Sequence, residues 1–236
     1  MRNPSFIPAI ALLAASLSAC HGSGSMTTAA TFSLQAGYAY LLANGQTSSV
    51  TLSGDAIVNG VSTSFTGSGT LTLSPGMANT FNGTAGVSQN ETISGTVTTG
   101  GQSANYLSSV TDYYSGGTPT LLGESASGEY DVAQPPFDYP TMVDGGSNGS
   151  LGTLDRYSDS TMSLSLGTIQ VSYSVLPPDQ MGTPQRVVEV TATIYDIQNI
   201  VVETDIVKYT LSSTGTMIFD GATVQSGTGN LAVIAL

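Results

Sequence analysis

Residues 55–65 read DAIVNGVSTSF, and this stretch contains the clearest fold signal in the chain. Apolar and polar residues alternate on both sides of the dipeptide Asn59-Gly60. Alternation with a period of two is typical of a half-buried β-strand. Asn-Gly favours a tight type I′ turn, because both central residues of that turn have positive φ angles. The stretch therefore predicts two antiparallel strands joined by a two-residue turn.

The same alternation continues through the last third of the chain. Residues 161–176 read TMSLSLGTIQVSYSVL, and the apolar phase changes at Gly167, which predicts a β-bulge there. Residues 186–195, 200–211 and 230–236 are further alternating or apolar runs, separated by turn residues and without helical patterns between them. Strands at this spacing predict an all-β fold, an antiparallel β-sandwich or β-barrel of about ten to fourteen strands.

The middle of the chain has a different composition. Residues 106–157 contain six of the eleven tyrosines, several prolines and the run GGSNGS at 145–150, and their alternation is weak. Clusters of glycine, proline and serine are typical of loops. We therefore expect long loops over about 106–157, joining two strand-rich parts of one domain that spans 31–236. Two separate subdomains are the alternative.

The chain has one cysteine, Cys20, and one histidine, His21, both near the amino terminus. A disulfide is therefore excluded. A Ser-His-Asp triad needs a histidine imidazole that exchanges the serine proton. Thiol catalysis needs a cysteine, and a histidine zinc site needs histidines. The sequence after residue 21 contains neither, so these chemistries are not expected in the folded domain.

The charge of the chain is strongly acidic. After residue 19 there are three strong bases, Arg156, Arg186 and Lys208, against sixteen carboxylates, which makes the formal charge −13. Binding to nucleic acid depends on lysine and arginine neutralising phosphates. A nucleic-acid partner is therefore excluded, and the acidity is expected to keep the domain soluble.

Four tyrosines of the middle segment are candidate ligand-binding residues: Tyr113, Tyr114, Tyr130 and Tyr139. Tyrosine offers a broad, partly apolar contact surface with a polar tip. The alternative is that these side chains fill the end of a β structure and bind nothing.

Carboxylates are the remaining groups with catalytic potential. A glycosidase needs two of them on either side of the scissile bond, and Glu124, Glu129, Asp131 and Asp138 are close enough in sequence to supply such a pair. Because sixteen carboxylates offer many pairs, the signal is unspecific, and no catalytic residue is assigned.

A calcium site is a separate and weak candidate. Calcium is bound by six to eight oxygens from carboxylates, carbonyls and amides, and Asp138, Asp144 and Asp155 flank a glycine- and asparagine-containing segment. The spacing lacks the pattern of an EF-hand, and a glycine-rich surface loop is the preferred interpretation. No cofactor is predicted.

The first 25 residues read MRNPSFIPAIALLAASLSACHGSGS. A basic start, a short apolar run and small residues before a cleavage site are typical of a secretory signal peptide. The end of the run, Leu17-Ser18-Ala19-Cys20, resembles the lipobox of bacterial lipoproteins. The resemblance implies cleavage between Ala19 and Cys20, a diacylglycerol on the Cys20 thiol and an acyl chain on its amino group. A secretory signal with an incidental cysteine, or an uncleaved signal anchor, is the alternative.

These features predict three segments: a signal peptide at 1–19, a lipidated cysteine with a flexible linker at 20–30, and the all-β domain. His21, rather than aspartate, follows the cysteine, and in the sorting rule of Gram-negative lipoproteins this implies the outer membrane. We expect a lipid-anchored envelope lipoprotein that is a non-catalytic binding or structural module, with an envelope protein or a glycan as partner. A carboxylate-dependent glycan hydrolase and a lipocalin-like carrier of an apolar ligand are the alternatives.

Overall fold

The computed structural model describes residues 31–58, 60–177 and 185–236, which form one antiparallel sheet of thirteen strands and a single α-helix. The all-β prediction is confirmed, and the strand number lies within the predicted range. Ala19, Cys20 and the predicted signal peptide and linker lie outside the described residues. In the described part of the chain, no helix has the length and hydrophobicity that crossing a bilayer requires.

The elements follow one another with short connections. The helix α1 is Leu34–Asn44. The strands are β1 (Gln46–Val58), β2 (Val61–Leu73), β3 (Met77–Phe81), β4 (Thr84–Thr99), β5 (Gln102–Ser115), β6 (Leu121–Ala126), β7 (Glu129–Phe137), β8 (Asn148–Tyr157), β9 (Ser165–Val175), β10 (Gln185–Tyr195), β11 (Val201–Ser212), β12 (Met217–Ser226) and β13 (Gly229–Ala235).

The strands β1 and β2 form the hairpin that residues 55–65 predict. Their register begins with Gln46 opposite Leu73 and ends with Val58 opposite Val61, so two residues connect them. Gly60, the second of these, has a φ of +78°, as a two-residue turn of this type requires. The hairpin prediction is confirmed.

The bulge predicted at Gly167 is also present. Arg156 of β8 pairs with Gly167, but the next residue, Tyr157, pairs with Ser165, so one residue of β9 is extra. Gly167 has a φ of +130°, and a Cβ atom at this position would overlap the carbonyl oxygen of Tyr195. Only glycine fits this backbone conformation without strain.

Two pairings between distant parts of the chain close the sheet into a barrel. β1 pairs with β13, and β2 pairs with β4, so the closed ring contains twelve strands: β1, β2 and β4 to β13. The thirteenth strand, β3, pairs with the first residues of β4, and β2 pairs with the later residues of β4. Of the two architectures that the sequence left open, the structure is the barrel.

The segment at 106–157 corrects one prediction. It is not a set of long loops, because β5, β6, β7 and β8 run through it as consecutive antiparallel neighbours in the barrel wall. Register shifts interrupt the pairing of β5 with β6, of β6 with β7 and of β8 with β9. Each shift changes which residues face inward, so the alternation that marks a strand is broken at short intervals.

The helix α1 was not predicted, and it lies at one end of the barrel. The side chain of Ser33 accepts a hydrogen bond from the amide of Ala36 at 3.0 Å and forms the N-cap. Gly37 packs so closely against β12 that a Cβ atom there would lie 2.6 Å from the sulfur of Met217. Near the carboxyl end of the helix, the Gln89 side-chain amide donates a hydrogen bond to the carbonyl of Leu41 at 3.0 Å and joins the helix to β4.

The core fills the inside of the barrel. A barrel of about eight strands is just wide enough to be filled by its own inward side chains, and twelve strands enclose more space. Part of this space is occupied by the buried face of α1, which contributes Leu34, Tyr38 and Leu41, and part by large side chains from the wall such as Phe219. What remains unfilled is the cavity described next.

Candidate ligand-binding cavity inside the barrel

A cavity of about 110 Å³ lies inside the barrel, close to α1. One part of its wall is aliphatic, with residues from six elements of the sheet, and the other part is made of tyrosines and carboxylates. The lining residues are Tyr38, Glu91, Val110, Asp112, Tyr114, Leu121, Glu124, Tyr139, Leu154, Ile169, Val171, Val190, Ala192, Val207 and Tyr209.

Four tyrosines form the end of the cavity next to the helix. Tyr38 of α1 stacks on Tyr139, with ring centroids 3.7 Å apart and planes 17° apart. Tyr209 of β11 meets Tyr38 edge to face at 6.1 Å. Tyr114 of β5 completes the group and is buried. Burial raises the pKa of all four hydroxyls, with nearby carboxylates as further causes, so these groups are neutral hydrogen-bond donors at physiological pH.

Three carboxylates line the same cavity from adjacent strands. Asp112 of β5 lies directly opposite Glu124 of β6. Glu91 of β4 is opposite Val110, two residues from Asp112 on the same face, which makes the two carboxylates diagonal neighbours on the sheet. The antiparallel register of β4, β5 and β6 therefore brings together three acidic residues that are far apart in the sequence.

The pKa values of these carboxylates are raised. Burial, and then the charge of Asp112, raise the pKa of Glu91 to about 8. Burial raises the pKa of Asp112 to about 7, although a hydrogen bond from Tyr114 acts in the opposite direction. Burial and the charges of Asp131 and Asp112 raise the pKa of Glu124. Ionising all three groups together inside the barrel is therefore unfavourable.

None of the described residues that line this cavity is a base. Arg156 points inward, but it pairs with Glu129 at 2.7 Å and approaches Asp131 at 4.0 Å. Lys208 pairs with Glu189 at 2.7 Å, and its side chain is 43% exposed. The guanidinium of Arg186 lies 4.9 Å from the ring centroid of Phe32. These three basic side chains thus contact other groups and do not line the cavity.

Two further acidic residues are buried opposite residues of the cavity wall. Asp205 of β11 is 0% exposed, and a side-chain hydrogen bond with Glu203 is among the causes that raise its pKa. It pairs across the sheet with Ala192, a cavity residue, and lies two positions from Val207, another one. Burial and then the charges of Glu203 and Glu124 raise its pKa. Asp131 is 2% exposed, and burial raises its pKa to about 7.

The four predicted tyrosines do not form one site. Tyr114 and Tyr139 line the cavity. Tyr113 and Tyr130 are on the outer face, where both stack on Phe81 with centroids 4.5 Å and 4.9 Å away. Tyr113 and Tyr114 are adjacent in β5, and successive side chains of a strand point to opposite faces. The barrel wall therefore separates the two pairs.

The three aspartates of the calcium prediction lie at separate places. Asp138 is exposed after β7 and accepts a hydrogen bond from the hydroxyl of Thr120. Asp144 is exposed in the connection before β8, and Asp155 is on β8 itself. In the parts of the chain that the structure describes, no three histidine, cysteine, aspartate or glutamate residues are grouped so that they could hold a metal ion.

Four of the polar residues that line the cavity were not singled out from the sequence: Tyr38, Glu91, Asp112 and Tyr209. Tyr209 occurs in a run that alternates, so its strand was recognisable, but alternation does not tell which face is inward. Glu91 occurs in the polar stretch SQNET at 88–92, which carries no alternation of apolar and polar residues. Tyr38 lies in α1, whose sequence has Ser33 at the N-cap and Leu34, Tyr38 and Leu41 at helical spacing. That spacing was the available signal.

Comparisons with models of protein families, with curated proteins and with solved structures find no match to this chain. Function is therefore inferred from the cavity and from the side chains that line it.

Proposed function

We propose that this chain is a lipid-anchored protein of the bacterial cell envelope that binds a small molecule inside its barrel and does not catalyse a reaction. The lipobox-like stretch ending at Cys20 supports the anchor. The closed barrel, a fold in which other proteins enclose ligands, and the cavity within it support the binding function.

The cavity is the observation that carries this proposal. Protein interiors are packed as densely as organic crystals, with few voids larger than a water molecule. A volume of about 110 Å³ is comparable with an engineered cavity of about 150 Å³ that binds benzene. The ligand is therefore expected to be small, with about five to seven non-hydrogen atoms on the same comparison.

Glycan hydrolysis is the alternative with some structural support. Asp112 and Glu124 face each other across β5 and β6 with raised pKa values, and a glycosidase uses two carboxylates in distinct protonation states. However, ligand pockets usually measure about 300–1,000 Å³, and a disaccharide does not fit in about 110 Å³. Binding of a smaller molecule is the better match to the size of the cavity.

A fragment titration tests the binding function. The full chain, in lipid nanodiscs and with labelled isoleucine, leucine and valine methyl groups, is titrated with neutral, anionic and cationic fragments of about five to seven non-hydrogen atoms. We expect at least one fragment to shift the NMR signals of Ile169 and Val207, which line the cavity, but not those of the exposed Ile197.

Substitution of Val171 by phenylalanine is designed to fill the cavity and to abolish these shifts. Ala192→Leu, on another strand, is a second filling variant. Val61→Phe is the matched control, because Val61 is 63% exposed next to the turn between β1 and β2 and does not line the cavity. If no fragment of any charge class shifts the cavity signals, or if both filled variants still bind as the wild type does, the binding function is wrong.

A further inference from the structure

The cavity has an imbalance of charge. Glu91, Asp112 and Glu124 line it, and none of the described lining residues carries a positive charge. Burying a carboxylate without a partner is costly, and a protein avoids the cost by protonating the group or by pairing it with a cation. A ligand with a positive charge would therefore supply the partner that the lining of the cavity lacks.

The hydrogen bonding of the carboxylates points the same way. Within the described part of the chain, no residue donates a hydrogen bond to the side chain of Glu91, and Asp112 accepts only one, from Tyr114 at 3.5 Å. Buried polar groups are almost always hydrogen-bonded in native proteins, so these acceptors are suited to donors that the chain itself does not provide.

We infer that the cavity binds a small organic cation, whose ammonium or guanidinium group is held by Glu91 and Asp112 while its aliphatic part contacts the apolar wall. This inference rests on the proposed binding function and names the ligand class of the same cavity. An ammonium group has three donors and a guanidinium group has five, so either can satisfy both carboxylates and make charge-assisted hydrogen bonds.

The rest of the wall distinguishes an organic cation from a metal ion. Val171, Val190 and Val207 are among the aliphatic residues that face the cavity, and they offer no oxygen ligands. They suit a short hydrocarbon chain, whose burial is favourable in proportion to its area. The tyrosine rings at the helix end add faces of negative potential, to which ammonium groups are attracted.

A matched set of three probes tests the ligand class. The probes n-butylammonium, 1-butanol and butyrate have nearly the same size and differ in charge, and each is titrated into the full chain in nanodiscs at pH 8. Because a charge-assisted hydrogen bond is stronger than a neutral one, we expect n-butylammonium to bind at least about tenfold more tightly than 1-butanol. Butyrate is expected to bind least, because like charges repel.

Glu91→Gln should reduce the affinity for n-butylammonium by at least about tenfold and leave that for 1-butanol nearly unchanged. Glu189→Gln is the matched control, because Glu189 lies on the outer face and pairs with Lys208. The methyl spectrum of each variant reports whether the barrel is still folded. If Glu91→Gln does not fold, Asp112→Asn is used in its place.

The outcomes separate the two proposals. Equal affinity for n-butylammonium and 1-butanol, unaffected by Glu91→Gln, would show that the cavity binds ligands but not by their charge, and would overturn the cation inference alone. Equal shifts with sodium or potassium chloride at the same concentration would also overturn it. If none of the three probes and no other fragment binds, both the inference and the proposed binding function are wrong.

Discussion

Five buried or inward-facing carboxyl groups determine how the barrel responds to pH. Glu91, Asp112, Glu124, Asp131 and Asp205 all have pKa values raised mainly by burial. In the unfolded chain these groups lose their protons near pH 4, whereas in the folded barrel Glu91 retains its proton up to about pH 8. The folded state therefore binds more protons than the unfolded state between these two values.

The sign of the stability change follows from this difference. The free energy of unfolding falls with rising pH wherever the folded state binds more protons. The stabilisation is thus fully present below about pH 4 and is lost as the pH rises towards 8 for Glu91 and towards 7 for Asp112 and Asp131. Each unit of pKa shift corresponds to about 1.4 kcal/mol.

Glu91→Gln tests this interpretation at a single residue. Glutamine resembles protonated glutamate in shape and does not ionise, so we expect little change in Tm at pH 5 and a higher Tm than that of the wild type at pH 8.5. The expected difference is about 2–4 °C per kcal/mol for a domain of this size. The groups that face Glu91 are Asp112 and Tyr114 on β5, Glu124 on β6, Tyr38 on α1, Tyr139 after β7 and Tyr209 on β11.

The measurement is a set of thermal unfolding curves from pH 5 to 8.5 for the wild type, Glu91→Gln and Glu189→Gln. Glu189 pairs with Lys208 on the outer face, so its variant should keep the pH dependence of the wild type. If the Tm of Glu91→Gln fell with pH as steeply as that of the wild type, Glu91 would not be a source of the dependence.

Among the elements, α1 is a helix that the sequence pattern did not predict. It is an isolated helix in a chain of strands, and its stability depends on capping and on packing against the barrel rather than on helix propensity. Tyr38 places an aromatic ring at the cavity, and Leu34 and Leu41 are 0% and 2% exposed. The helix thus covers one end of the barrel interior and contributes directly to the candidate site.

The N-cap of α1 provides a prediction at this scale. Ser33→Ala removes the hydrogen bond from the hydroxyl to the amide of Ala36, and loss of such a cap costs about 1 kcal/mol. We expect Tm to fall by about 2–4 °C and the amide protons of α1 to exchange faster with solvent.

Ser49→Ala is the control for this substitution, because Ser49 is exposed on β1 and its hydroxyl has no hydrogen bond within the described residues. A surface change of this kind alters stability by less than about 0.5 kcal/mol. Equal losses of Tm in Ser33→Ala and Ser49→Ala would contradict the role of the cap.

For the molecule as a whole, the described chain begins at the end of the barrel that α1 covers. Phe32 forms a β-bridge with Val143 there, with an amide-to-carbonyl distance of 3.1 Å in one direction and 2.7 Å in the other. Phe32 is twelve positions after Cys20, and a chain of that length reaches at most about 43 Å. A lipid on Cys20 would therefore hold Phe32 within that distance of the lipid.

The anchor itself is tested by Cys20→Ala. Cells that express the wild type or the variant are grown with radiolabelled palmitate and then fractionated. We expect label and membrane association in the wild type and neither in the variant, because stable anchoring needs two or more acyl chains. Ser23→Ala, a change in the same predicted linker, should behave as the wild type. Label retained by Cys20→Ala would show that the lipid is not on this cysteine.

The sequence by itself determined the fold class, the β1–β2 hairpin and the bulge at Gly167. These features depend on local properties: alternation with a period of two, the positive φ of glycine, and the turn preference of Asn-Gly. The strands of the middle segment were missed because bulges such as those at Tyr113/Tyr114 and Ser150/Gly152 shift the alternation before it becomes recognisable.

Only the tertiary structure decided that the sheet closes and what it encloses. Closure depends on the pairing of β1 with β13 and of β2 with β4, and alternation along one strand carries no information about which distant strand is its neighbour or which face is inward. Tyr38, Glu91 and Tyr209 meet in one cavity because the strand register and the width of a twelve-stranded barrel bring them together, and both are properties of the assembled sheet.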